Sequence, residues 1–178
     1  MSSKVGRRLV IDACIARAAG GEEATFPASR DCRDFLHAML ELPHEIVKTK
    51  EIWAEWRKHK SKYATVWLNS MIAKKRVFQA AVLNDTALRS FVSLKVSEKD
   101  SKTMQKDCHL VEAAKASDNI VVSNDDAVRC LFSNAANSVG WLKTIVWINP
   151  TMPSETPIDW LRNGAAPDSE RCLRCKLV

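Results

Sequence analysis

The sequence predicts an α/β fold, a three-layer α/β/α sandwich around a small, mainly parallel central sheet. Three observations carry this expectation. The stretches RLVID, IVV and TIVWI are short, apolar and rich in β-branched residues without alternation, the pattern of strands buried on both faces. Segments of helical length, with apolar residues at helical spacing, separate them. Strands and helices therefore alternate, and parallel strands joined by helical crossovers satisfy that order.

The first strand runs from Arg8 to Asp12. A short helical piece follows, and Gly20, Gly21 and Pro27 punctuate the loop behind it. Ser29 is suited to cap a helix to about Leu42, whose Phe35, Leu36, Met39 and Leu40 share one face before Pro43 ends it. Glu45 to Lys48 reads as a second strand. Thr49 then caps one long helix with Ile52, Trp53, Trp56, Tyr63, Val66, Trp67 and Met71 on its apolar side. The chain turns between Lys74 and Leu83, and Thr86 to Leu94 forms another helix. Lys95 to Lys106 is polar and aperiodic, which predicts a loop, and a helix from Asp107 to Ser117 buries Leu110, Ala113 and Ala114. Ile120 to Val122 is the third strand, Asp125 to about Ala135 a helix, and Thr144 to Ile148 a fourth strand. Pro150, Pro153 and Pro157 lead into a short helix near Ile158 to Leu161 and a polar tail.

The 178 residues suit one domain over 1–150 with a C-terminal extension over 151–178. No apolar run approaches the roughly 20 residues of a membrane span. The apolar run behind the basic N-terminus ends at Asp12, too soon for a signal-peptide core. A cytoplasmic protein without a membrane partner is expected. Of six cysteines, only Cys172 and Cys175 have ligand-like spacing, and no second pair completes a zinc site. The four histidines, 37, 44, 59 and 109, lack zinc or triad spacing.

A net charge of +6 with pI about 9.1 points to a polyanionic partner. Between Glu45 and Arg76 nine Lys/Arg stand against three acids, and nine minus three equals the excess of the whole chain, +6. Arg57, Lys58, Lys60, Lys62, Lys74, Lys75 and Arg76 are the candidate phosphate contacts in this segment, with Lys106 beside Asp107 as another. A solvated helix face is the plainer reading for any one of them. Trp53, Trp56 and Trp67 could stack bases, but their helical spacing reads as core.

The stretch NIVVSNDDAV, Asn119 to Val128, ends an apolar strand on adjacent carboxylates. A helix N-cap explains it plainly. A site at the C-terminal end of a strand explains it equally, because open α/β sheets hold their chemistry there. Other acids also fall at element ends: Asp12 closes the first strand, Asp107 opens a helix, and Glu51 and Glu55 lie one turn apart. Carboxylates gathered together repel and require a cation, and hard Mg²⁺ or Mn²⁺ prefers such oxygens. Each acid has a plainer alternative. Asp107 could complement a helix dipole, and Glu55 could pair with Lys58 or His59 at helical spacing.

Four motifs give these acids a common frame. LVIDAC is an apolar strand ending in Asp and a small residue. In VKTKEIWAEW, Thr49 opens a helix and Glu55 follows six residues later. KDCHLVEAAKASDN has the form Asp-x-x-Leu-x-x-x-Ala, and IVVSNDDAV ends a strand on Ser123 and Asp125. In order and spacing, over about residues 8–148, they resemble the PIN-domain nucleases, a family that includes VapC-type toxins and RNA-processing enzymes. Ser123-Asn124 departs from the Thr-Arg frequent there, Asp126 is an extra acid, and the segment after Pro150 matches nothing in the pattern.

The resemblance implies a metal-dependent endoribonuclease that hydrolyses RNA phosphodiester bonds to 5′-phosphate and 3′-hydroxyl ends. It implies Asp12, Asp107 and Asp125 as catalytic metal ligands, with Glu55 acting directly or through water. Asp126 is a further ligand candidate, and only the resemblance prefers Asp125 to it. Ser123 is carried over as a residue that caps its helix or aims a ligand at the nucleic-acid site. Mg²⁺ or Mn²⁺ is the implied cofactor. RNA is the implied substrate, and an antitoxin or other regulatory protein and a second copy of the chain are protein partners. A PIN-like module that binds RNA or protein without cutting, and a DNA-directed nuclease, are the alternatives.

Overall fold

The strand that begins at Arg8 is the centre of a parallel sheet in the computed structural model, which describes residues 6–21, 23 and 25–174. Five strands, β1 (Arg8–Ile11), β2 (Glu45–Lys48), β3 (Val77–Gln79), β4 (Ile120–Val122) and β5 (Val146–Ile148), are ordered β3-β2-β1-β4-β5. Every pairing is parallel, with Leu9 opposite Ile46 and Val10 opposite Val121. Leu9, Val10, Ile11, Val121 and Val122 are wholly buried, as strands covered on both faces must be.

Helices α1 (Ala13–Ala18) and α2 (Pro27–Glu41) connect β1 to β2, and α3 (Lys50–His59) and α4 (Lys62–Ala73) connect β2 to β3. The chain then crosses over through α5 (Thr86–Lys95) and α6 (Glu98–Lys115) to β4, on the far side of β1. α7 (Asp126–Ala135) leads to β5, and α8 (Pro157–Arg162) follows. Because β1 has β2 on one side and β4 on the other, the crossover helices cover both faces of the sheet. α2 packs with α4 and α8, while α6 packs with α5, α7, β1 and β4. The architecture is the expected three-layer α/β/α sandwich. Among the described residues no helix is long and apolar enough to cross a membrane.

Several elements differ from the sequence expectation. β3 replaces the expected turn between Lys74 and Leu83. Its three residues lie at the sheet edge, incompletely buried, so they lack the apolar run that marks a central strand. The helix expected to start at Thr49 and run past Met71 is two helices. Lys60 is extended, and Ser61 caps α4 by accepting from the Ala64 N–H at 3.2 Å. Lys95 to Lys106 is not a loop: α6 starts at Glu98 behind a Ser97 cap. Its first turns bury Ser101, Met104 and Cys108, a stripe that includes a polar residue and a small thiol and so reads weakly as apolar. α2 begins at Pro27, two residues before the expected Ser29 cap.

Beyond Pro150 the described residues continue to Arg174. Trp160 and Leu161 of α8 are buried, and Cys172 bridges Val146 antiparallel at the β5 edge. Cys175, the other half of the ligand-like pair, lies outside the described residues. His44, buried, accepts the Arg7 N–H at Nδ1, so its Nε2–H donates to the Leu161 carbonyl, both at 3.0 Å. Burial lowers its pKa, consistent with this neutral form.

Two buried groups lock helices to the frame. The Trp56 indole N–H donates to the Ile11 carbonyl at 2.8 Å, tying α3 to the C-terminal end of β1. The Glu112 side chain, 1% exposed, accepts two bonds from Arg89 at 2.9 and 2.7 Å and one from the Asp85 N–H at 2.7 Å. Arg89→Ala would leave that carboxylate buried without its cation and is expected to cost about 3–5 kcal/mol. Glu112→Gln should cost clearly less, because the Arg89 side chain, 39% exposed, can return to water. Urea unfolding compares the two, and equal losses would contradict this account.

Candidate active site

β1 pairs outward in both directions, so a crevice opens beyond the C-terminal ends of β1 and β4, where the strand order reverses. The residue after β1 is Asp12. It caps α1, its Oδ1 accepting from the Cys14 N–H at 3.1 Å. Its Oδ2 accepts from the Ser123 hydroxyl at 2.7 Å and the Cys14 thiol at 2.9 Å. Ser123, directly after β4, is fully buried and also accepts the Asp125 N–H at 3.2 Å. Asp125 in turn caps α7, its Oδ1 accepting from the Val128 N–H at 2.9 Å. Asp125 of NIVVSNDDAV therefore caps a helix, as the plain reading has it, and also faces the crevice.

Two further acids come from the helical layers. Glu55 precedes Trp56 on α3, and its Oε2 lies 3.5 Å from Nε2 of His109 on α6. Asp107 sits in the middle of α6 rather than at a first turn, so it does not serve as an N-terminal dipole partner. Asp12, Glu55, Asp107 and Asp125 line one cleft of about 380 Å³. Arg17, His59 and Lys106 form its basic rim. Burial pushes the Asp107 carboxyl up to about 7, and the charges of Asp12, Glu55 and Asp125 add to the shift while Lys106 opposes it. Among the described residues no lysine or arginine forms an ion pair with Asp12, Asp107 or Asp125. The carboxylates thus share a space whose cationic side chains, Arg17 and Lys106, do not form ion pairs with Asp12, Asp107 or Asp125.

They do not form a closed cage. Among the described residues no group of three or more His, Cys, Asp or Glu side chains is arranged to hold a metal ion. Like charges spread apart in the absence of a counter-ion, and both facts hold of the same cleft. The donors are carboxylate oxygens, which fit a hard divalent cation.

Other sequence candidates fall elsewhere. Asp126 points away from the cleft: its Oδ2 accepts from the Asn149 amide at 2.9 Å, and Arg129 lies 3.9 Å from its Oδ1. It lines a separate cavity of about 750 Å³ between α7 and the C-terminal segment. Arg129 and Arg171 on that cavity are paired with Glu155 and Asp168. Ser123, being fully buried, offers no surface to nucleic acid and instead positions Asp12 and Asp125. Arg57, Lys58 and Lys62 are exposed, and Lys60 is half-buried at the α3–α4 corner. Lys74 and Lys75 are exposed at the far end of α4, beside the start of β3 and away from the cleft. Arg76 donates to the Leu40 and Leu42 carbonyls at the end of α2, which removes it from the candidate phosphate contacts.

Arg17, Cys14 and His109 were not legible as site residues. Arg17 lies one turn beyond Asp12 on a six-residue helix, too short to display a periodic face. Cys14 reads as a small hydrophobe, yet its thiol donates to Asp12, and burial beside that charge pushes its pKa well above the ordinary thiol value. His109 meets Glu55 only through the packing of α6 against α3. No protein-family model, curated protein or solved structure matches this chain.

Asp107 gives the site a pH signature. Its carboxyl keeps a proton in the folded chain to about pH 7, whereas in the unfolded chain it ionises near its ordinary 3.8. Between those values the native state binds more protons, so this residue's contribution to stability falls as pH rises. Asp107→Asn should therefore gain stability over the wild type from about pH 4 to about pH 7 and hold that gain above it. Thermal melts in EDTA read the difference, and superimposable curves for the two proteins would contradict the crowding of carboxylates around Asp107.

Proposed function

We propose that this chain is a PIN-like, metal-dependent endoribonuclease acting on RNA in the cytoplasm, and that growth arrest, as a toxin or defence effector, is the biological role to test first. One observation carries the reading: acids from four separate segments, the end of β1, α3, α6 and the cap of α7, face one cleft at the reversal of strand order. Mg²⁺ or Mn²⁺ bound there supplies an acidified water and a charge that stabilises the departing oxygen.

The chain's own residues do the rest. Ser123 and Cys14 hold the Asp12 carboxylate by one side, which fixes its direction toward the cleft. Trp56, bonded to the Ile11 carbonyl, sets α3 so that Glu55 approaches the same space. Arg17, His59 and Lys106 offset the repulsion that an acidic cleft exerts on a phosphate. Asp107 ionises more readily with a cation bound beside it, its proton passing to water, because the positive charge offsets the burial and the neighbouring carboxylates that raise its pKa.

Single-stranded RNA is expected to be cut with Mg²⁺ or Mn²⁺ and left intact in EDTA. Asp12→Asn and Asp107→Asn should lower the rate by on the order of 100-fold or more, and Ser123→Ala by roughly 10–100-fold through loss of a supporting hydrogen bond. Asp126→Asn should cut normally. Cleavage that persists in EDTA, or survives Asp12→Asn in folded protein, would overturn the proposal.

The absence of a three-ligand group among the described residues favours a second reading, a PIN-like module that binds RNA or a partner protein without cutting. Calorimetry with Mn²⁺ separates them: heat of binding that Asp12→Asn abolishes supports the nuclease, and no heat at low millimolar ion supports the binding module. A small gene overlapping the upstream end of this one would argue for an antitoxin partner.

A further inference from the structure

A second hollow, of about 400 Å³, lies at the start of α4 and is lined by Gly21, Glu23, Lys62, Tyr63 and Val66. It adjoins the acidic cleft through the backbone. α1 begins at the Asp12 cap, and the residues at its other end hold the start of α4: Ala16 accepts the Ser61 N–H at 3.1 Å and Gly20 the Tyr63 N–H at 3.3 Å. At the helical rise the two features are separated by on the order of 10 Å. Arg17 on α1 and His59 at the end of α3 line the cleft, and Lys60 and Lys62 continue the basic surface toward the hollow.

The lining shows which part of a polyanion would enter. Val66 is 64% exposed and Tyr63 is half-buried, so an aliphatic and an aromatic surface lie beside each other at the protein boundary. Among the described residues, a Cβ built on Gly21 would meet nothing within 4 Å. Glu23 would repel a phosphate but can accept hydrogen bonds from the N–H edge of a base. Lys62, at the margin, suits the phosphate that must stay outside.

The geometry points to a nucleobase subsite at Tyr63, Val66 and Lys62, which holds the base of a nucleotide near the cleaved bond of a single-stranded RNA. It deepens the nuclease reading and rests on it for the position of the bond. A base in a duplex is stacked and paired and cannot enter such a hollow, so unpaired RNA is the substrate class it selects.

The test is fluorescence anisotropy with a labelled, unstructured RNA oligonucleotide in EDTA, and cleavage of the same RNA with Mn²⁺. Tyr63→Ala should weaken binding by roughly tenfold, as loss of one base–aromatic stack does. Tyr63→Phe should retain binding, and affinity for duplex RNA should not change. Lys62→Ala should instead flatten the salt dependence by about one phosphate contact. Thermal melts establish that the variants are folded. Folded Tyr63→Ala that binds unpaired RNA like the wild type, or a wild type that binds none, overturns the subsite. If the first of these still cleaves, the nuclease reading stands without it. Tyr63-dependent binding in a wild type that never cleaves overturns the nuclease reading and leaves the subsite standing.

Discussion

Parallel pairing of β1 on both of its edges is the constraint from which the site follows. A strand with neighbours on each side sends its chain to one of them first and receives the return on the other. The connections on the two sides then diverge above its C-terminal end. Asp12 and Asp125 sit on the two lips of that gap because each follows directly on a strand end or its one-turn linker. Their nearness is a product of register: Ile11 pairs with Val122, so the residues after each strand emerge side by side. The Ser123 hydroxyl, between them, reaches both.

Gathering carboxylates opposes folding, and the molecule offsets it with local hydrogen bonds rather than with ion pairs. Asp12 receives three donors, and Asp125 receives an amide as a helix cap. Each bond holds the side chain in one direction. Asp107, in a helix interior, is pushed up by burial, with the charges of Asp12, Glu55 and Asp125 adding to the rise. A fold selected only for stability would place lysine or arginine against it, as Arg89 is placed against Glu112 nearby. Sites that sacrifice stability in this way are where a rule of good packing is broken for another purpose.

The parts of this arrangement that were legible in the sequence are those set by short-range chemistry. Apolar runs ending in acid located β1 and β4, and the Thr49 cap located the start of α3 and hence Glu55. What sequence could not supply depended on partners distant along the chain. β3 is a strand because β2 offers it an edge, not because Val77-Phe78-Gln79 demands it. The break at Ser61 reflects its bond to Ala16, forty-five residues earlier in the chain. The start of α6 was hidden because Ser101, Met104 and Cys108 mimic a polar segment until a facing helix buries them. Asp125 and Asp126 are adjacent and chemically identical, and only Asn149 and Arg129 separate their roles.

The basic segment from Glu45 to Arg76 shows why a charge excess along a sequence is not yet a surface. Twelve residues of α4 carry the chain on the order of 18 Å from one end of the sheet toward the other. Arg57, Lys58, Lys60 and Lys62 are left at the corner near the cleft, while Lys74 and Lys75 go to the opposite end and Arg76 turns inward to close α2. The fold therefore divides one run of like charge into cations at the α3–α4 corner and cations at the opposite end of the sheet. The cations beside the acids stop short of pairing with them: Arg17 and Lys106 line the cleft without forming an ion pair with Asp12, Asp107 or Asp125. Lys106 illustrates the balance: it lines the cleft and lowers the pKa of Asp107, yet it is not an ion-pair partner of that carboxylate and leaves it near 7.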